Sequence, residues 1–403
     1  MTGTSASDIR FVFYLPNLSS YLDRVQLIGR IADKVGRGVL VTSRLDVPLQ
    51  NLDLGNLEVI ETPKGRRYPG RSAVAASGAV ARLLETDNFN IVHDTFAHLS
   101  PLFLRRRRHP GQVFLTSLYS LAEWDLREWI RPTYGMRSVT NLNLRQYIQR
   151  AVMQRVVVRL ADCVVVQAPG LVQRVVRYNK GATGKLTWIP NNVEVPHEPV
   201  LREDVDAQSI HLLWAAGGFD RAKGADELLT VLRRGKEREV QIRVSAVGAS
   251  SPLDPSIPPY LDYYHLRSRM ESEGLTESIS FLNRIEPDQM DRYYRDADWL
   301  FHVSQLDGSP RVALEALGRG LPVIGLRHPG MTILDPDDQY IFYADPFDAD
   351  SVLDQLIDEK ADTQSHANRA AAGRKYIAEN FSSDVISDKY VELYARLVSE
   401  RVG

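Results

Sequence analysis

The sequence predicts an α/β protein built from two Rossmann-like parallel-sheet domains. Short apolar runs alternate with longer amphipathic stretches through most of the chain, which is how strands joined by crossover helices read. The alternation pauses once, at Pro196-His197-Glu198-Pro199 and the polar stretch to Gln208, because two prolines within four residues sustain neither a helix nor a central strand. The length, 403 residues with 44% hydrophobic and 25% charged content, suits two or three domain-sized units of ordinary globular composition.

In the first series the expected strands are Phe11–Leu15, Gly38–Thr42, Leu57–Glu61, Asn90–His93, Val113–Thr116, Cys163–Gln167 and Leu186–Ile189. In the second they are Ile210–Ala215, Gln241–Val247, Ile279–Leu282, Trp299–Val303, Pro322–Leu326 and Tyr340–Tyr343. Val385, Ile386, Tyr390, Leu393, Tyr394 and Leu397 recur near helical spacing and predict an amphipathic helix over Ser383–Val402. The domains are therefore expected at 1–195 and 209–382, with a linker at 196–208 and a terminal helix from 383.

Composition excludes several classes. The single cysteine, Cys163, lies in an apolar run and rules out internal disulfides and cysteine zinc clusters. The most apolar region, around Val156–Val176, is broken by Arg159, Asp162 and Arg174, short of the roughly 20 apolar residues of a bilayer helix. The polar start, Met1–Asp8, does not read as a secretory signal, so the expectation is a reducing cytoplasm. No Gly-x-Gly-x-x-Gly follows the first strand, which argues against a dehydrogenase. The net charge of −2 hides an asymmetry: residues 1–200 hold 26 Lys and Arg against 16 Asp and Glu. Arg105–Arg108 and a series from Arg127 to Arg159 contribute most, and the face they form is either simply solvated or attracts anionic membrane or a phosphorylated acceptor. No stacking-aromatic module accompanies them, so nucleic acid is not an expected partner.

Two segments carry chemistry. The first is Ser304-Gln305-Leu306-Asp307-Gly308-Ser309-Pro310-Arg311-Val312-Ala313-Leu314-Glu315-Ala316, followed by Gly320-Leu321-Pro322-Val323. It reads as strand, glycine turn and helix, with Ser309 as N-cap and Pro310 in the first turn, where its missing N–H does no harm. Such a helix start turns backbone amides and a positive dipole end toward the loop, an anion site. The second is Leu212-Leu213-Trp214-Ala215-Ala216-Gly217-Gly218-Phe219-Asp220-Arg221-Ala222-Lys223-Gly224, again a strand leaving through glycines.

Together these segments resemble the donor motifs of the retaining glycosyltransferases of family four (glycosyl transferases group one): acid-x7-Glu, and a Gly-Arg-x-x-x-x-Lys-Gly in which Gly218 stands where that family has arginine. The likeness runs from about Asp162 to the C-terminus, taking in Ile189-Pro190-Asn191-Asn192-Val193 and Phe281-Leu282-Asn283-Arg284-Ile285. It implies the GT-B architecture, two Rossmann-like domains with a cleft between them and a C-terminal helix crossing back. It also implies transfer of a hexose-type sugar from a nucleoside diphosphate, a UDP-sugar first and GDP-mannose next, with no metal or other cofactor. The acceptor hydroxyl attacks on the face the diphosphate leaves, and the departing phosphate oxygen takes its proton.

Residue by residue, the resemblance gives Asp307 and Lys223 the catalytic roles. Gly217, Gly218, Arg221, Arg284, Ile285, Gly308, Ser309, Pro310, Arg311 and Val312 are expected around the donor, with Glu315 on its ribose hydroxyls. Asn17, Ser19, His93, Asp94, His98, Ser117 and Tyr119 are the acceptor-side candidates, although a lone histidine at a strand end is more often structural. The acidic pairs Asp296/Asp298 and Asp348/Asp350 have metal-motif spacing, yet they sit at expected helix ends and read as structural. Two other readings stay open, a nucleotide-sugar-binding scaffold without turnover and a sugar-nucleotide epimerase.

Overall fold

The computed structural model describes residues 5–18, 21–62, 69–95, 111–122, 144–197, 209–217, 219, 223–248, 263–282, 285–286, 289–304 and 308–402. These form two compact units, one comprising residues up to Asn192 together with Ser383 onward, the other Val193–Ser382. All thirteen expected strands are present, and every ladder is parallel.

The first unit holds a seven-stranded sheet in the order β3-β2-β1-β4-β5-β6-β7. Its strands are β1 (Arg10–Leu15), β2 (Arg37–Thr42), β3 (Leu57–Glu61), β4 (Ile91–Thr95), β5 (Val113–Leu118), β6 (Cys163–Val166) and β7 (Leu186–Trp188). Its helices are α1 (Leu22–Lys34), α2 (Pro69–Thr86), α3 (Leu144–Leu160) and α4 (Pro169–Tyr178). All residues of β4, β5 and β6 are buried, as in strands covered on both faces; β6 is apolar throughout, while β4 and β5 begin apolar and carry polar residues toward their carboxyl ends. α3 is anchored by the buried Gln154, whose side chain accepts from the Ala122 amide at 2.9 Å and donates to the Ser120 carbonyl at 3.0 Å.

The second unit holds a six-stranded sheet in the order β10-β9-β8-β11-β12-β13. Its elements run β8 (Ser209–Ala216), α5 (Ala225–Glu237), β9 (Gln241–Gly248), α6 (Tyr263–Glu273), β10 (Ile279–Leu282), α7 (Met290–Asp296), β11 (Trp299–His302) and α8 (Arg311–Gly318). β12 (Val323–Gly325), α9 (Pro329–Thr332), β13 (Ile341–Tyr343), α10 (Ala349–Ala361) and α11 (Thr363–Phe381) complete it. Trp214, Trp299 and Phe301 fill one face of this sheet and Leu213, Leu300 and Val323 the other, each nearly devoid of solvent contact.

The terminal helix, α12 (Ser383–Val402), packs on the first unit, as expected of a helix that crosses back. Ile386, Tyr390, Leu393, Tyr394 and Val398 share a core with Val25, Ile28 and Ile31 of α1. Val398 joins the stripe at the 390/394/398 spacing, which keeps one face through two turns, and Leu397 packs against its edge, partly buried. Arg30–Asp384 at 2.8 Å and Lys34–Asp388 at 2.7 Å rim the contact. Exposed pairs of this kind contribute about 0–1 kcal/mol, so the aromatic and aliphatic burial holds the helix.

The acidic pairs are structural, as read. Asp298 is buried, accepts from the His211 amide at 2.7 Å and pairs with Lys360 at 3.1 Å. Asp348 caps α10 through the Asp350 amide at 3.2 Å and the Ser351 hydroxyl at 2.7 Å. Among the described residues no cluster of three or more His, Cys, Asp or Glu is arranged to hold a metal ion.

Candidate functional site

Strand order in the second sheet reverses between β8 and β11. Parallel strands whose connections leave to opposite sides open a crevice at their carboxyl ends, and there α/β sheets bind ligands. The two motif segments emerge at those ends: Gly217 and the Lys223-Gly224 turn beyond β8, and Ser304, Gly308 and Ser309 beyond β11. One glycine makes them meet. Gly224 has φ +83°, and a Cβ there would stand 2.3 Å from Val303 Cγ2, so only glycine lets the turn lie against the end of β11. Trp214 Nε1 donates to the Lys223 carbonyl at 3.0 Å and pins the same turn from below. The Lys223 ammonium thereby comes within 3.5 Å of Ser304 Oγ.

The helix start differs by one residue from expectation. α8 begins at Arg311 with Pro310, not Ser309, as its N-cap, and no side chain caps it. Pro310 is non-helical at φ −71° and ψ 102°, while its carbonyl accepts the first helical bond from Leu314 at 3.1 Å. With Pro310 extended in ψ, only its carbonyl joins the helix, and the first helical angles fall to Arg311. Proline has no side-chain oxygen with which to cap the first-turn amides, and a helix start of this kind carries the positive end of the dipole, which suits an anion. Ser309 and Pro310 are buried, Gly308 is half-buried and Arg311 is exposed.

Glu315 lies one turn into α8, half-buried. Tyr294 of α7 donates to its Oε2 at 2.7 Å. Arg319 stacks over the Tyr294 ring at 5.0 Å, pairs with Asp291 at 2.7 Å and reaches the Glu315 carbonyl at 3.4 Å. Burial and the neighbouring carboxylate raise the Tyr294 pKa well above the ordinary phenol value, so the hydroxyl keeps its proton and remains a donor. Ile285 and Val312, expected at the donor, are half-buried against the core beneath this region. Gly218, Arg221, Arg284 and Asp307, and on the acceptor side Ser19 and His98, lie outside the described residues.

The remaining acceptor-side candidates belong to the first unit, and several are core groups. His93 has no solvent exposure. Its Nδ1 bonds the Tyr394 hydroxyl at 2.6 Å and its Nε2 the Ser117 hydroxyl at 2.7 Å. Burial, helped by the Arg24 charge, lowers its pKa to about 3, so it is neutral and satisfied rather than presented to a ligand. Asp94 is equally buried and helps raise the Tyr14 pKa to about 12, after burial itself and against the Ser43 hydrogen bond. The Tyr119 ring lies 4.9 Å from the buried Arg24 guanidinium, which also bonds Asn191 and Asn192. Asn17, following β1, and Tyr119, following β5, stand half-buried in loops. His93, an acceptor-side candidate by sequence, is thus a core group in the first unit: its strand is covered on both faces, and α12 supplies the partner for its Nδ1.

Trp214, Tyr294 and Arg319 were missed by the sequence reading. Weak signals existed: Arg319 follows Glu315 by one helical turn, and Tyr294 follows Asp291 likewise. That α7 lies behind α8 is a tertiary fact no such spacing carries.

Residues 211–376 match the family described as glycosyl transferases group 1. Over 138 residues the chain is 25% identical to the mannosylfructose-phosphate synthase of Agrobacterium fabrum, covering 34% of this chain and 30% of that one. The chain thus spans under a third of the length of this curated relative. The sucrose-phosphate synthase of Thermosynechococcus elongatus superposes with a TM-score of 0.73 at 17% identity, over 97% of this chain and all of the other. Anabaena HepE in complex with UDP-glucose gives 0.68 at 14% identity, over 96% of this chain and 100% of that one. The chain has the GT-B fold, and its residues 211–376 are similar to the glycosyl transferases of group 1.

Proposed function

We propose that the chain is a retaining glycosyltransferase that takes a sugar from a nucleoside diphosphate, UDP favoured and GDP next, and passes it to an acceptor hydroxyl. The observation that carries this reading is the approach of the Lys223 ammonium to Ser304 at the switch point of the second sheet, where the chain leads from β11 toward the start of α8. The UDP-glucose bound to the similarly folded HepE supports it.

Cleavage of the glycosyl phosphate bond puts negative charge on the leaving diphosphate, and preorganised donors that meet this charge lower the barrier. A helix N-terminus contributes about 0.3–2 kcal/mol and each charge-assisted hydrogen bond about 1.5–3 kcal/mol. Enzymes remove about 8–23 kcal/mol, so the α8 amides and Lys223 act with further donors, for which Arg221 and Arg284 are candidates, and Asp307 is placed beside the sugar by its motif position. The acceptor hydroxyl forms the new glycosidic bond on the face the diphosphate leaves. Its proton passes to the departing phosphate oxygen, and no side-chain nucleophile is required.

The test is thermal unfolding with uridine and guanosine diphosphates, followed by incubation with the matching sugar donors. A diphosphate at about 100 times its dissociation constant should add about 2.7 kcal/mol to stability. Slow release of the diphosphate, with the sugar passed to water, marks a transferase lacking its acceptor. Binding with no turnover at all would indicate a scaffold, and conversion of the sugar without release would indicate an epimerase.

A peripheral contact with anionic membrane belongs to the same proposal. α3 carries four arginines and no acid, and Ile148 and Val152, one turn apart, are 52% and 55% exposed. Aliphatic side chains among cations suit an acyl–headgroup boundary. Sedimentation with vesicles containing phosphatidylglycerol should exceed that with pure phosphatidylcholine and fall in Ile148→Asp; equal sedimentation with both would refute the contact.

A further inference from the structure

We propose that Tyr294 is a positioning residue that makes the second unit select ribonucleotides over 2′-deoxyribonucleotides, an inference that rests on the donor reading above.

A carboxylate only accepts hydrogen bonds, so the Tyr294 hydroxyl must donate to Glu315 Oε2 across their 2.7 Å contact. Tyr294 is 3% exposed, so its hydroxyl is held within the protein. Arg319 lies over its ring, and Asp291 holds that guanidinium, so the phenol has one place to stand. Through this brace the Glu315 carboxylate is fixed in rotation as well as position. Its Oε1 accepts no hydrogen bond from any other described residue.

The half-buried carboxylate has acceptor capacity left and nothing to donate. A ligand edge that satisfies it must bring donors, and a vicinal diol brings two in the geometry one carboxylate spans. A 2′-deoxyribose brings one, leaving a charged acceptor unmatched where solvent is scarce. Without the tyrosine, Glu315 can rotate, and the penalty for the missing hydroxyl falls because the carboxylate turns toward water instead. Tyr294 thereby acts through Glu315 and touches no ligand itself.

The experiment measures binding of uridine diphosphate and 2′-deoxyuridine diphosphate, or the guanosine pair where that base binds, to the full chain and its variants by calorimetry. The parent should prefer the ribonucleotide about tenfold or more, the effect of one hydrogen bond to a charged group. Tyr294→Phe should cut that preference at least threefold through weaker ribonucleotide binding, with deoxyribonucleotide binding nearly unchanged. A role confined to stability would weaken both ligands alike. Arg319→Gln, which releases the ring from above, should move the preference the same way by less, and it serves where the phenylalanine variant unfolds. An unchanged preference in Tyr294→Phe, with the preference lost in Glu315→Ala, overturns the role of Tyr294 and leaves the donor site standing. An unchanged preference in Glu315→Ala overturns the ribose assignment and this inference together.

Discussion

Lys223→Ala should lower the rate of sugar transfer about 100- to 1,000-fold, the cost of deleting one donor that meets charge developing in a transition state. The protein should stay folded, because the tie that fixes the turn is made by the Lys223 backbone: its carbonyl accepts from Trp214 Nε1, and the neighbouring Gly224 packs on Val303. The Lys223 side chain has Ser304 within reach at 3.5 Å, a long contact whose loss has little effect on stability. Steady-state kinetics beside a melting curve separates the two effects. A variant with parental kcat would remove the ammonium from the leaving-group site, and one with lowered kcat and lost stability would place Lys223 in the fold instead.

Glu315→Ala should abolish the roughly 2.7 kcal/mol stabilisation that saturating diphosphate gives the parent. It should also lower the stability of the unliganded protein by about 1–3 kcal/mol, since the buried Tyr294 hydroxyl loses the oxygen it donates to. Glu315→Gln separates these consequences: its amide oxygen still accepts from Tyr294, so unliganded stability should be nearly parental while the charged contact to the ligand is gone. Thermal unfolding of the three proteins with and without diphosphate decides it. A diphosphate shift of parental size in Glu315→Ala would take the ribose role away from this residue.

Much of the second unit was legible before any coordinates. Trp299–Val303 and Ile210–Ala215 are short apolar runs ending in glycine, serine or proline, and this punctuation announces a strand, its end and the helix that follows. The acid-x7-Glu segment was legible for the same reason: its chemistry is local, confined to one turn and the start of one helix. The N-cap lies one residue later than expected because Pro310 keeps an extended ψ of 102° and only its carbonyl joins the helix, a backbone detail that the serine-proline pair does not announce. In the first unit His93 could be placed on its strand but not given its surroundings. Both its partners are distant in sequence, Ser117 on β5 and Tyr394 on the helix that returns at the end of the chain.

The sequence by itself determined two alternating strand–helix series, the break between them, and the two glycine-marked loops that resemble donor motifs, because periodicity, glycine turns and proline positions act within a few residues. Only the tertiary structure decided that the Lys223 turn lies against the end of β11 with its ammonium beside Ser304, that α7 braces Glu315 through Tyr294, and that α12 closes over His93. Each of these is a contact between segments far apart in the chain, fixed by strand order and by how helices cover a sheet, and no local pattern records which neighbour a side chain will meet.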